Sequence, residues 1–129
     1  MSHPHPIPKP TEGELSILAV LWDRGPSTVR QVFEVLSAGR DLGYTTVLKM
    51  LQIMQDKGLV VRDETERTHV YRAREAAALT QATLVDDLME RAFGGSAMKL
   101  VMHALASKKA TKEELAEIRK LLEVKHGHA

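Results

Sequence analysis

The chain has 129 residues, no cysteine and a formal net charge of +1. The lack of thiols excludes disulfides and thiolate metal sites, and no apolar run approaches the roughly 20 residues needed to cross a bilayer. A hydrophobic content of 43% is that of a chain able to fold, as one compact unit or as two small ones sharing a core. The opening Met-Ser-His-Pro-His-Pro-Ile-Pro-Lys-Pro lacks the apolar core of a secretion signal, so it reads as a proline-stiffened, disordered arm over 1–10 and points to the cytoplasm.

Thr11 and Glu14 have the spacing of a capping box, in which each side chain satisfies an orphan backbone donor at a helix start. Leu15, Leu18, Leu21 and Trp22 then recur at helical spacing until Gly25-Pro26 stops the helix. Ser27 or Thr28 caps a second helix with Val29, Val32, Phe33 and Leu36 on its apolar face, and Gly39 to Gly43 forms a turn. A third helix starts at Thr45, carries Val47, Met50, Leu51 and Met54 inward, and ends at Lys57-Gly58, a basic last turn followed by glycine. Leu59 to Asp63 and Thr68 to Arg72, separated by Glu64-Thr65-Glu66-Arg67, read as a short hairpin. Three helices and a hairpin over 11–75 follow the plan of a winged helix-turn-helix.

Beyond Ala73 the pattern is helical throughout. Leu79, Leu84, Leu88 and Phe93 lie along one segment broken by Gly94-Gly95, and Ser96 caps a segment with Leu100, Val101 and Leu105. Thr111 and Glu114 make another capping box before Leu115, Ile118, Leu121 and Leu122. Short helices of this kind cannot bury their stripes against a domain already closed by its own core, so an identical partner chain is the economical cover. The expected fold is mainly α with a small β-hairpin. A helical dimerisation region spans 76–125, with Leu84, Leu88, Phe93, Leu100, Val101, Leu105, Leu115, Ile118, Leu121 and Leu122 at its interface, and a flexible tail covers 126–129.

The third helix has a small, polar leading end, as a helix entering the DNA major groove requires, and the hairpin can hold the phosphate backbone beside it. Thr45 and Thr46 can donate from the first turn, where free N–H groups and the helix dipole also favour phosphate. Lys49 and Gln52 lie on the face opposite Val47, Met50 and Leu51, where Lys49 can reach a guanine edge or a phosphate and Gln52 an adenine edge. Tyr44 either reaches a phosphate through its hydroxyl or fills the turn between helices. Arg62, Arg67 and Arg72 flank or tip the hairpin; Arg62 and Arg67 are the candidates for DNA, with Glu64 and Glu66 repelling phosphate unless they pair with Arg67. From Thr11 to Glu75 nine Lys/Arg face ten Asp/Glu, so phosphate affinity must come from local placement and from doubling in a dimer.

Other chemistries find little support. His3 with His5 and His126 with His128 form two His-x-His pairs that nothing positions, so no metal and no cofactor is expected. Met50, Met54, Met98 and Met102 sit at core spacing and read as packing. There is no His-Glu-x-x-His, no phosphate-binding glycine loop and no cysteine nucleophile, so no enzyme is expected. The rival to a DNA-binding repressor is a winged helix used purely as a protein-interaction adaptor, which the near-neutral charge would suit.

Tyr44-Thr45-Thr46-Val47, the helix end Lys57-Gly58-Leu59, the Arg67 to Tyr71 spacing and the break Phe93-Gly94-Gly95 together resemble the penicillinase repressor (BlaI/MecI/CopY) family, over about Thr11 to Val124. The resemblance implies a homodimeric repressor whose winged domains bind double-stranded DNA at an inverted-repeat operator. It also implies a membrane-embedded metalloprotease sensor whose activation leads to cleavage of the repressor. The chain departs from the family pattern in three places. Glu66 replaces the glycine before the wing arginine, and the position aligned with the cleaved bond, His103-Ala104, lacks the Asn-Phe pair. The Cys-rich tail of the copper-responsive branch is missing.

Overall fold

A computed structural model describes residues 7–107 and 110–127. His3, His5 and His128, with most of the expected arm, lie outside the described residues. Pro10 is buried, so the arm expected over 1–10 has given way to packed chain by its last residue.

Helix α1 (Glu12–Arg24) starts at the expected capping box, with the Glu14 N–H donating to Thr11 Oγ1 at 3.2 Å and the Thr11 N–H to Glu14 Oε1 at 2.9 Å. Thr28 is the cap of α2 (Val29–Leu36), and it forms a second capping box with Gln31. Ser27 and Thr28 also form a two-residue strand β1. Helix α3 (Tyr44–Lys57) begins one residue before the expected Thr45: Gly43 is its cap, and no side chain caps it. Thr45 therefore stands in the first turn with its hydroxyl free of capping duty. Gly58 ends α3 in the left-handed conformation at φ 84°, which L side chains adopt only with strain.

The hairpin consists of β2 (Val60–Asp63) and β3 (Val70–Ala73), antiparallel, with Val61 opposite Arg72 and Arg62 opposite Tyr71. Its second strand starts two residues later than the sequence suggested. The sheet has three strands rather than two, in the order β1-β3-β2, because Ser27 and Thr28 pair with Tyr71 and Val70. That third strand ties the start of α2 to the wing.

One core joins these elements. Ile17, Leu18, Val32, Val47, Leu51, Met54, Val60 and Tyr71 are almost wholly buried, with Trp22, Phe33, Leu36, Leu48 and Met50 packed around them. Trp22 also donates its ring N–H to the Glu75 carbonyl at 3.0 Å, fastening α1 to the chain after β3.

Glu14, only 6% exposed, takes both oxygens to the Lys57 ammonium at 2.8 and 2.9 Å, which joins the start of α1 to the end of α3. Burial pushes the Glu14 carboxyl up, but the hydrogen bonds from Lys57 and Thr11 outweigh it and hold the carboxyl below its ordinary value. A depressed carboxyl contributes stability that is fully present above its unfolded pKa and is lost as the pH falls through its folded one. Urea midpoints should therefore fall on acidification below about pH 4.5, and less steeply in Glu14→Gln. At neutral pH, Lys57→Met leaves Glu14 buried without its cation and should destabilise the fold by about 1–3 kcal/mol.

The chain divides into two compact units, residues 1–85 and 86–129, with the division inside α4 (Ala77–Phe93). After α4 come α5 (Ala97–Ala106), capped by Ser96, and α6 (Lys112–Gly127), which starts at the capping box of Thr111 and Glu114. Helix α6 runs to Gly127, so residues 126 and 127 are helical rather than part of a flexible tail. Gly94 and Gly95 both take positive φ, and the Gly95 N–H reaches the Met89 carbonyl at 2.9 Å, so the break after Phe93 is a wound helix end. Met98 and Met102 are 68% and 61% exposed, contrary to the packing expected from their spacing. Among the described residues no helix is long and apolar enough to cross a membrane.

Candidate nucleic-acid interface

Helix α3 buries Val47, Leu51 and Met54 and turns Tyr44, Thr45, Thr46, Lys49, Gln52 and Ile53 outward. Its surface carries two rows, because residues four apart share a face. Tyr44, Leu48 and Gln52 form the row facing the wing. Thr45, Lys49 and Ile53 form the next row, away from it.

Between the first row, the start of α2 and the wing lies an open groove of about 500 Å³. Val29, Leu48 and Tyr71 give it apolar walls; Tyr44, Gln52, Arg62 and Arg67 bring four of the seven sequence-predicted DNA residues together there. Thr45, Thr46 and Lys49 are exposed on α3 outside the groove. The groove also includes Thr28, Arg30, Thr68 and His69, none of which the sequence reading had proposed for DNA. Arg30 was legible only as an exposed cation on a short amphipathic helix. Pairing of β1 with β3 is what brings the start of α2 beside the wing.

The cations differ in how they are held. Arg62 is bound to Glu64 at 2.6 Å, and the hydrogen bonds that its guanidinium donates, first to Tyr71 and then to Glu64, raise it above its ordinary value. Glu64 thus pairs with Arg62 rather than with Arg67, because residues two apart share one side of an extended chain. Arg67 makes no ion pair among the described residues and stands exposed beside the groove. At the root of the wing loop the Thr65 N–H donates to Asp63 Oδ1 at 2.9 Å, a contact that lowers the Asp63 carboxyl from its ordinary value. That local turn shapes the loop without the glycine that the resemblance led one to expect before Arg67.

Tyr44 is anchored by its ring. Phe33 meets it edge-on, with centroids 5.7 Å apart and planes at 74°, and the Arg30 guanidinium lies 5.0 Å from its centroid. Among the described residues no group of three or more His, Asp or Glu side chains is placed to hold a metal ion.

The penicillinase repressor family matches residues 10–124 of the chain. The transcriptional regulator BlaI of Mycobacterium tuberculosis (strain CDC 1551 / Oshkosh) is 37% identical over 117 residues, covering 89% of this chain and 84% of that protein. The chain belongs to the penicillinase repressor family. It is a DNA-binding transcriptional repressor of winged-helix fold and not an enzyme, and the adaptor alternative falls away. Solved structures agree on the fold. A MarR family protein from Bacillus stearothermophilus superposes with a TM-score of 0.51 at 19% identity, covering 96% of this chain and 76% of that one. The complex structure of hsRosR-S4 superposes with a TM-score of 0.53 at 18% identity, covering 92% of this chain and 91% of that one.

Proposed function

We propose that this family member acts in the cytoplasm as a homodimer on an inverted-repeat operator. The winged domain reads DNA and the helices of the carboxyl-terminal region hold two readers at a fixed spacing. Each α3 lies in a major groove, with Thr45, Thr46, Lys49 and Gln52 facing base edges and phosphates, while Tyr44, Arg62 and Arg67 flank the neighbouring backbone. The observation that carries this reading is α3 itself: Thr45, Thr46, Lys49 and Gln52 are all exposed along it, beside a wing whose tip cation Arg67 is unpaired among the described residues.

Dimerisation draws its support from the apolar side chains of α4, α5 and α6. Leu88, Val101, Leu105, Leu115, Leu121 and Leu122 are exposed, and Leu84, Phe93, Leu100 and Ile118 are only half-buried. Two such surfaces, buried against each other, would remove them from water and set the half-sites about one helical turn apart or slightly more. Relief of repression through a membrane-embedded metalloprotease sensor would act on this arrangement by separating the reader from its dimerising region. The position aligned with cleavage, His103-Ala104, lies inside α5, so a protease would require that helix to open locally.

Lys49→Ala tests the reading directly. Lys49 packs against nothing in the core, so the variant should fold and dimerise unchanged while operator affinity falls about tenfold to a hundredfold in a gel-shift titration. Unchanged affinity would remove α3 from the major groove.

A further inference from the structure

Resting on the proposed DNA reading, we infer that Arg30 is a phosphate-contacting residue and that Tyr44 acts through its ring, as the residue that positions Arg30, rather than through its hydroxyl. Arg30 is exposed in the first turn of α2, lines the groove opposite the wing, and makes no ion pair among the described residues. Arginine has many rotamers, and an unanchored one loses much of its entropy when it grips a phosphate. Here the guanidinium already rests against the Tyr44 face, 5.0 Å from the centroid, and Tyr44 is itself fixed by the edge of Phe33. Stacking leaves the in-plane N–H groups of Arg30 free to donate, as a planar guanidinium can stack and hydrogen-bond at once. Across the groove stands Arg67, also unpaired, and no acidic residue lines the space between them. Two free cations on opposite walls of a groove beside the reading helix fit the polyanionic backbone of one DNA strand. This placement also bears on the near-neutral charge of the domain: the groove lining carries Arg30, Arg62 and Arg67 and no carboxylate, and Glu64 is paired with Arg62.

A phosphate contact carries no sequence information, so a random-sequence duplex of about 30 base pairs is a sufficient probe. Fluorescence anisotropy would follow its binding to the full chain across a salt series. Arg30→Gln should weaken binding several-fold and reduce the slope of log affinity against log salt by about one. Tyr44→Phe keeps the ring and removes the hydroxyl, so its affinity and slope should match the unaltered chain. Tyr44→Leu should resemble Arg30→Gln, and the double variant should be little worse than either single one. An unchanged slope in Arg30→Gln would overturn the inference, and so would a loss in Tyr44→Phe as large as in Tyr44→Leu. Should Tyr44→Leu melt early through its lost contact with Phe33, Arg30→Gln and Tyr44→Phe still decide. Failure of the DNA reading itself looks different: the unaltered chain would then show no salt-sensitive binding.

Discussion

Leu121→Asp should turn the proposed dimer into a monomer and lower affinity for an inverted-repeat operator by about 10²- to 10⁴-fold, the advantage that linking two modest contacts provides. Leu121 is 66% exposed on α6, in a region where the sequence places apolar residues at helical spacing and the single chain leaves them uncovered. A carboxylate there costs the isolated chain little, because water already surrounds the position. Across a two-fold axis the same change sets two carboxylates into an apolar interface, where neither has a partner. Sedimentation velocity at micromolar concentration, paired with operator titration, checks both halves. A Leu121→Asp chain that remains dimeric would put the interface elsewhere.

Tyr71→Ala should be the most damaging single change to the reading domain, destabilising it by about 3–5 kcal/mol. The side chain is 1% exposed, yet it stands on the middle strand of a sheet of only three. Its backbone pairs with Ser27 on one side and Arg62 on the other, and its side chain forms a wall of the groove and holds the Arg62 guanidinium. Truncation would empty the core and loosen the wing from the start of α2 together. Chemical denaturation gives the stability loss. Tyr71→Phe separates the causes, since it keeps the packing and removes only the hydroxyl that Arg62 uses. It should cost far less stability, and a loss as large as in Tyr71→Ala would put the hydroxyl, not the ring, at the centre of the wing's stability.

Much of this fold was legible because its helix starts are chemically explicit. Thr11 with Glu14 and Thr111 with Glu114 are reciprocal caps in the structure as in the sequence. Spacing also picked out Leu18, Leu21, Val32, Val47, Leu51 and Met54, because one face of each helix meets the same core. The start of α3 was misjudged by one residue, since Gly43 caps through backbone shape alone and offers no side-chain signal. Strand β1 went unseen because two residues cannot display a period, and Thr28 serves the strand and the α2 cap at once. Arg30 was missed for the same reason: only the pairing of Ser27 and Thr28 with β3 carries that residue to the wing. Met98 and Met102 have the spacing of core residues, but spacing reports a shared face and not what covers it. In α5 both methionines stay exposed within the described chain.

The most direct measurement compares an inverted-repeat duplex, selected from genomic fragments that the chain retains, with the same duplex cut to one half-site. If two copies must grip together, the full repeat should bind at least a hundredfold more tightly, with about twice the salt slope, and with two chains per duplex. Equal affinity for the half-site, or one chain seated on the complete repeat, would contradict the account.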